Sequence, residues 1–181
     1  MPSLSPDSKE LDNMSKKESP PQAQKKDCKW SLQFKLLRTS PTDRLKPEET
    51  LLWSQSLENL LKSKSGRATF TAFLKSEHSD ENIEFWQTCE DFKKLRCNHR
   101  LVSRAKKIFE SYIKAESPRE INIDHKTREV IRHNVQSPTR WCFDDAQKIV
   151  FGLMEKDSYP RFLRSDHYRI FLDSVSDRIM G

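Results

Sequence analysis

Ser79-Asp80-Glu81-Asn82-Ile83-Glu84-Phe85-Trp86-Gln87-Thr88-Cys89-Glu90-Asp91-Phe92-Lys93-Lys94 reads as one helix from end to end. Phe85, Cys89 and Phe92 recur at i, i+4 and i+7, with Ile83 and Trp86 beside them, the spacing of an apolar helix face. Ser79 is placed as the N-cap, ahead of an acidic first turn at Asp80 and Glu81 that suits the positive end of the helix dipole. Lys93 and Lys94 suit the other end. Phe85, Trp86 and Phe92 are assigned to the core.

The same period continues outward on both sides. Upstream, Trp53, Leu57, Leu60 and Leu61 mark an amphipathic segment expected to end at Ser65-Gly66, and Phe70, Phe73 and Leu74 mark a shorter one. Downstream, Leu101, Ala105, Ile108, Phe109 and Tyr112 form a stripe stopped by Ser117-Pro118. A brief helix over residues 127–136 carries Val130, Ile131 and Val135. Phe143, Ala146, Val150 and Leu153 form the next stripe, widened by Ile149 and Met154. Tyr159, Phe162, Leu163, Tyr168, Phe171 and Leu172 complete the pattern. No strand alternation interrupts it. The fold class is therefore all-α, with about seven to nine helices in a single bundle over residues 46–175 and a short tail at 176–181.

Only three glycines occur in 181 residues, which disfavours a sheet-rich fold with its turn requirements. Besides Met1, residues 1–26 offer only Leu4, Leu11, Met14 and Ala23 as apolar groups. That is too little to offset ordering entropy, so the segment is expected to be disordered. Residues 27–40 differ: Trp30, Phe34 and Leu37 fall at i, i+4 and i+7 among Lys29, Lys35 and Arg38. This describes a short amphipathic helix suited either to an acidic membrane surface or to packing on the domain. Residues 1–46 hold ten Lys/Arg and six Asp/Glu, +4 of the formal +6, so the domain itself is close to neutral. A basic tail on a neutral domain points to surface anchoring by acidic lipids and not to nucleic acid, which would want a basic stripe on the domain. Met1 to Glu10 lack the apolar core of a signal peptide, and no apolar run approaches a membrane span. The chain is therefore expected in the cytoplasm, peripheral at the inner face of the plasma membrane.

The sequence lacks the marks of common enzymes. Its glycines are too dispersed for a phosphate loop, and no zinc-spaced His or Cys set or Gly-x-Ser-x-Gly elbow occurs. No metal or cofactor is expected. Cys28, beside Lys26, Lys29 and Trp30, and Cys89 are candidate acylation positions; Cys142, between Trp141 and Phe143, reads as a small buried hydrophobe.

Polar clusters gather at the helix ends, and five strings stand out: "SDENIEFW", "CEDFKK", "REINID", "CFDDAQ" and "MEKDSYPRFL". In this order they resemble the regulator of G-protein signalling (RGS) domain, in its small single-domain subfamily, over about residues 50–172. The resemblance implies a bundle of about nine helices that accelerates GTP hydrolysis by a heterotrimeric G-protein α subunit and so terminates receptor signalling. The chain would be an activator contributing no chemistry of its own. An alternative within the same fold is an adaptor that binds the α subunit and blocks effector access. The expected partner is a GTP-bound α subunit of the inhibitory or Gq class, met by a monomer. Carried over position by position, the contact residues would be Glu77, His78, Ser79, Glu81, Asn82, Asn122, Leu153, Asp157, Ser158 and Arg161. Asn122 would reach toward the water-positioning glutamine and a switch threonine of the α subunit. His78 departs from the family, many of whose members carry Tyr or Phe there with more apolar area. Asp157 and Arg161 stand at i, i+4, the spacing of a surface ion pair. Lys93 and Lys94 fall where related domains bind acidic phospholipid or a calcium sensor.

Overall fold

The computed structural model describes residues 47–180, and side chains over 49–176. The expected tail at 1–26, the amphipathic helix at 27–40 and Cys28 lie outside the described residues. Among the described residues every regular element is helical.

Helix α1 (Pro47–Trp53) starts on a proline, whose fixed φ and missing N–H suit the first helical position. Helix α2 (Leu57–Lys62) is capped by Ser56, whose hydroxyl accepts from Asn59 N at 3.1 Å. Ser63 caps α3 (Lys64–Ser76) in the same way through Gly66 N. Gly66 therefore does not end a helix as expected. It lies in the first turn of α3, pressed against α2: a Cβ there would sit 2.3 Å from the Leu60 carbonyl oxygen and 3.1 Å from the Trp53 ring. Gly66→Ala is expected to lower stability by about 1–3 kcal/mol through overpacking, seen as a lower urea midpoint.

Helix α4 (Glu81–Lys93) is followed by α5 (Asn98–Ile108), which runs directly into a π-helical turn, π1 (Phe109–Ile113). The wider turn adds a residue to the stripe. Burial consequently passes from Ile108 to Ile113, and the expected Tyr112 is only half-buried. An irregular segment leads to α6 (His125–Asn134), capped by the Asp124 carboxylate accepting from Thr127 N at 2.9 Å. Of the apolar residues expected here, Ile131 and Val135 are buried, while Val130 is 46% exposed.

Helix α7 (Asp144–Leu153), a second π turn, π2 (Met154–Ser158), and α8 (Tyr159–Arg164) form one continuous rod. Pro160 cannot donate to the Lys156 carbonyl and its ring crowds that turn, and the wider π geometry falls there. Along this rod Val150, Met154, Ser158 and Phe162 are buried while Leu153 faces outward. Helix α9 (Asp166–Met180) continues past the expected boundary at 175.

Two sets of buried side chains hold the helices. In one, Phe85, Cys89 and Phe92 of α4 meet Leu101, Ala105, Ile108, Ile113, Ile131, Phe143, Ala146 and Val150. Phe143 stands edge-on to Phe85 and Phe92 at 6.3 and 5.2 Å. In the other, Trp53 stacks on Phe171 at 4.6 Å, and Phe162 contacts Phe70, Phe73 and Tyr168. Tyr159 Oη donates to the Trp53 carbonyl at 2.7 Å, tying α8 to α1. Trp86 belongs to neither interior. It is half-buried and walls a cavity of about 290 Å³ with Glu90, Lys93, Asp144, Gln147, Lys148 and Phe151. The reason is angular: Phe85 takes the centre of the buried face of α4, which turns the adjacent Trp86 toward its edge.

Candidate functional site

The polar strings come together where three connections meet. The first follows α3. Its last turn closes with Ser79 N donating to the Leu74 carbonyl at 3.0 Å and His78 N to that of Lys75 at 3.2 Å. This Schellman-type closure needs a left-handed residue, and His78 supplies it at φ 54°. Such a backbone is uncommon for a side chain with a Cβ. It holds the His78 side chain out on an exposed turn.

Ser79 is not the N-cap of α4. Asp80 occupies that position but gives no capping hydrogen bond, because its carboxylate turns instead toward Arg119. Ser79 Oγ and Asn82 Oδ1 are buried without a hydrogen-bond partner among the described residues.

The second connection carries Asn122. Ile121 and Ile123 are buried at 1% and 7% exposure on a non-helical segment, and Asn122 between them is exposed. The segment is pinned on both sides. Ile121 N donates to the Tyr112 carbonyl at 3.0 Å and Arg119 N to that of Ser111 at 3.1 Å. Glu120 receives Arg128 at 2.7 Å and the backbone N of Glu116 at 2.9 Å. Arg119 then crosses to α4. Its Nη2 lies 3.0 Å from Asp80 Oδ1 and 2.9 Å from Glu84 Oε2, and its Nε donates to Glu84 at 3.1 Å.

The third connection is the π2 turn. Asp157 is exposed there, Ser158 is buried, and Leu153 is exposed one turn earlier. Arg161 pairs with Asp157, the i, i+4 contact expected, and also reaches Glu77 Oε2 at 2.9 Å. One guanidinium thus ties the turn after α3 to the π2–α8 junction. Hydrogen bonds to Glu77 and then Asp157 push its pKa further up, so it is cationic at every working pH.

Burial disfavours the charged form of Asp80, but hydrogen bonding and the adjacent charge of Arg119 outweigh it and hold the carboxyl below the ordinary value of 3.8. A depressed carboxylate contributes stability that is present above its unfolded pKa and is lost as pH falls through the folded one. The stability gap between the wild type and Asp80→Asn is therefore expected to be full at pH 7 and to shrink below about pH 4, read from urea midpoints across pH.

Lys93 and Lys94 lie at the opposite end of α4, about 16 Å along the axis from Asn82. They diverge. Lys93 Nζ donates to Gln147 Oε1 at 2.6 Å and pairs with Asp144 at 3.0 Å, whereas Lys94 pairs with exposed Asp91 at 2.9 Å. A phosphate at Lys93 would have to displace these internal partners. Cys89 is 1% exposed and burial pushes its thiol far up, so its sulfur has no solvent access in the folded domain. Burial likewise pushes Cys142 up to about 12.

Sequence reasoning missed the Arg119–Asp80–Glu84 and Arg161–Glu77 bridges. They join residues 35 to 84 positions apart, and no local spacing signals such pairs. Neither π turn was legible, although Pro160 hinted at the second.

A family profile described as "Regulator of G protein signaling domain" matches residues 56–171, which takes in all three connections. The chain belongs to the regulator of G-protein signalling family. Its relatives include "Regulator of G-protein signaling 13" of Homo sapiens, 53% identical over 135 residues, covering 75% of this chain and 85% of that protein. "Regulator of G-protein signaling 8" of Homo sapiens is 52% identical over 136 residues, 75% of this chain and 76% of that protein. "Regulator of G-protein signaling 16" of Bos taurus is 58% identical over 122 residues, 67% of this chain and 60% of that protein. The all-helical RGS domain expected from the five strings is the fold observed, and a role in regulating G-protein signalling follows from membership.

Proposed function

We propose that this RGS domain binds the activated α subunit of a heterotrimeric G protein through its three connections and accelerates GTP hydrolysis without supplying a catalytic group. The observation that carries the reading is the outward presentation of Asn122 between two buried isoleucines, with its segment fixed by Arg119 to the Ser79–Asn82 turn. An α subunit with its own arginine in cis already hydrolyses GTP at about 10⁻² s⁻¹. What it lacks is a fixed arrangement of its mobile switches. A surface complementary to that arrangement stabilises the transition state over the ground state, and a 100-fold gain needs only about 2.7 kcal/mol. The amide of Asn122 can donate and accept at once, which suits it to fix both a side-chain carbonyl and a hydroxyl. Ser79 and Asn82, both half-buried on the neighbouring turn, add further polar side chains, and the Glu77–Arg161–Asp157 bridge gives a shaped, charged rim.

In this reading the basic tail holds the chain at an acidic membrane face, where the inhibitory- or Gq-class α subunit resides. The domain acts as an activator and not as an enzyme. The test is state selectivity: immobilised chain should retain the aluminium-fluoride·GDP form of the α subunit more strongly than the form holding a non-hydrolysable GTP analogue. Equal retention of both forms would count against it, since uniform binding cannot accelerate a reaction.

A further inference from the structure

We propose that Arg119 is the positioning residue that fixes the Asn122 segment to the N-terminus of α4, so that both parts of the α-subunit face are presented in one geometry; this rests on the function proposed above. The arrangement is specific. Asp80 and Glu84 lie one turn apart on the same side of α4, and both carboxylates converge on Arg119, with Nη2 between them at 3.0 and 2.9 Å. Asp80 gives up the capping role its position offers and is nearly buried, with its side chain 10% exposed. A buried carboxylate without its cation is costly, so the pairing is strongly enforced.

Arg119 stands three residues before Asn122, and the intervening Ile121 is anchored to Tyr112. The path from α4 to the Asn122 amide therefore contains no free-swinging residue. Neighbouring charges do not compete. Glu120 is occupied by Arg128 and the Glu116 amide, and Glu81 at the start of α4 has no part in the bridge. A lysine at 119 would keep the charge but could not present a planar fork to two carboxylates.

A residue acting through Asn122 has a consequence that a merely stabilising one lacks. Loosening it should lower the maximal stimulated rate while largely preserving binding to the α subunit, because misplacement by about 1 Å near reacting groups can cost up to about 100-fold. The experiment is single-turnover GTP hydrolysis by a purified inhibitory-class α subunit with the full-length chain. Maximal rate at saturating chain and affinity for the α subunit holding a non-hydrolysable GTP analogue, the ground-state form, are measured separately. Arg119→Ala and, because it leaves Asp80 paired, Glu84→Gln are each compared with wild type, alone and in the Asn122→Ala background.

The expected result is a fall in maximal rate of about tenfold for Arg119→Ala and a smaller one for Glu84→Gln. Affinity should stay within about threefold, and neither substitution should have a further effect once Asn122 is alanine, the non-additivity of residues that act as a unit. Unchanged maximal rates in both variants, or losses that simply add to that of Asn122→Ala, would overturn the proposal while leaving GTPase activation intact. Absence of stimulation by the wild-type chain would instead overturn the function on which it rests. If Arg119→Ala melts below the assay temperature, Glu84→Gln alone decides.

Discussion

Asn122→Ala is expected to remove most of the stimulation of GTP hydrolysis, a loss of about 10- to 100-fold in maximal rate, with thermal stability within about 0.5 kcal/mol of wild type. The magnitude follows from what the side chain can contribute. A total effect of about 100-fold is 2.7 kcal/mol, and two neutral hydrogen bonds formed at the transition state supply about 1 kcal/mol each. The indifference of stability follows from position. Asn122 is exposed, while its neighbours Ile121 and Ile123 carry the packing and Arg119 and Glu120 carry the tethers. Single-turnover hydrolysis and a melting curve on the same preparation separate the two. Loss of both together would mean that Asn122 serves the fold.

The second large effect is on stability. Phe85→Ala is expected to cost about 3–5 kcal/mol, lowering Tm by about 10–20 °C. Phe85 is 0% exposed and touches Tyr112 at 5.6 Å and Phe143 at 6.3 Å, joining α4 to π1 and to the start of α7. The void left there has no solvent route, and the rigid helices around it cannot close it. Trp86→Ala, one residue on, should cost clearly less despite deleting more atoms, because its indole faces an open cavity. Equal losses for the two would show that the Trp86 wall is part of the interior.

That contrast shows how far the sequence could be read. The period of Phe85, Cys89 and Phe92 gave the helix and its buried face, and the ordered polar strings gave the family. It could not rank Phe85 above Trp86, since adjacent residues on the edge of a stripe are sorted by what packs opposite them. The same limit applied to Val130, and Leu153, placed both in the apolar stripe and among the contact residues, is exposed beside the π2 turn. Gly66 carried the usual sign of a helix end, yet its role is to let α3 lie against the Leu60 carbonyl. Ser79 looked like a cap. The cap position fell to Asp80, whose carboxylate is claimed by an arginine 39 residues later in the chain. Contacts within one turn of helix left their mark in local spacing, and those made across the fold did not.

The α-subunit face follows the same division. Asp157 and Arg161 were paired by their spacing, whereas Glu77 joined them only through the tertiary path of α3 and α8. Asn122 was singled out by its string, but why it points outward became visible only with the burial of the isoleucines around it.

The most direct test of GTPase activation is single-turnover hydrolysis of GTP preloaded on a purified inhibitory-class α subunit, followed with and without the full-length chain. The expected result is a rise of about 100-fold over the basal rate of about 10⁻² s⁻¹. An unchanged rate in the presence of folded chain, at concentrations where it binds the aluminium-fluoride form, would contradict it.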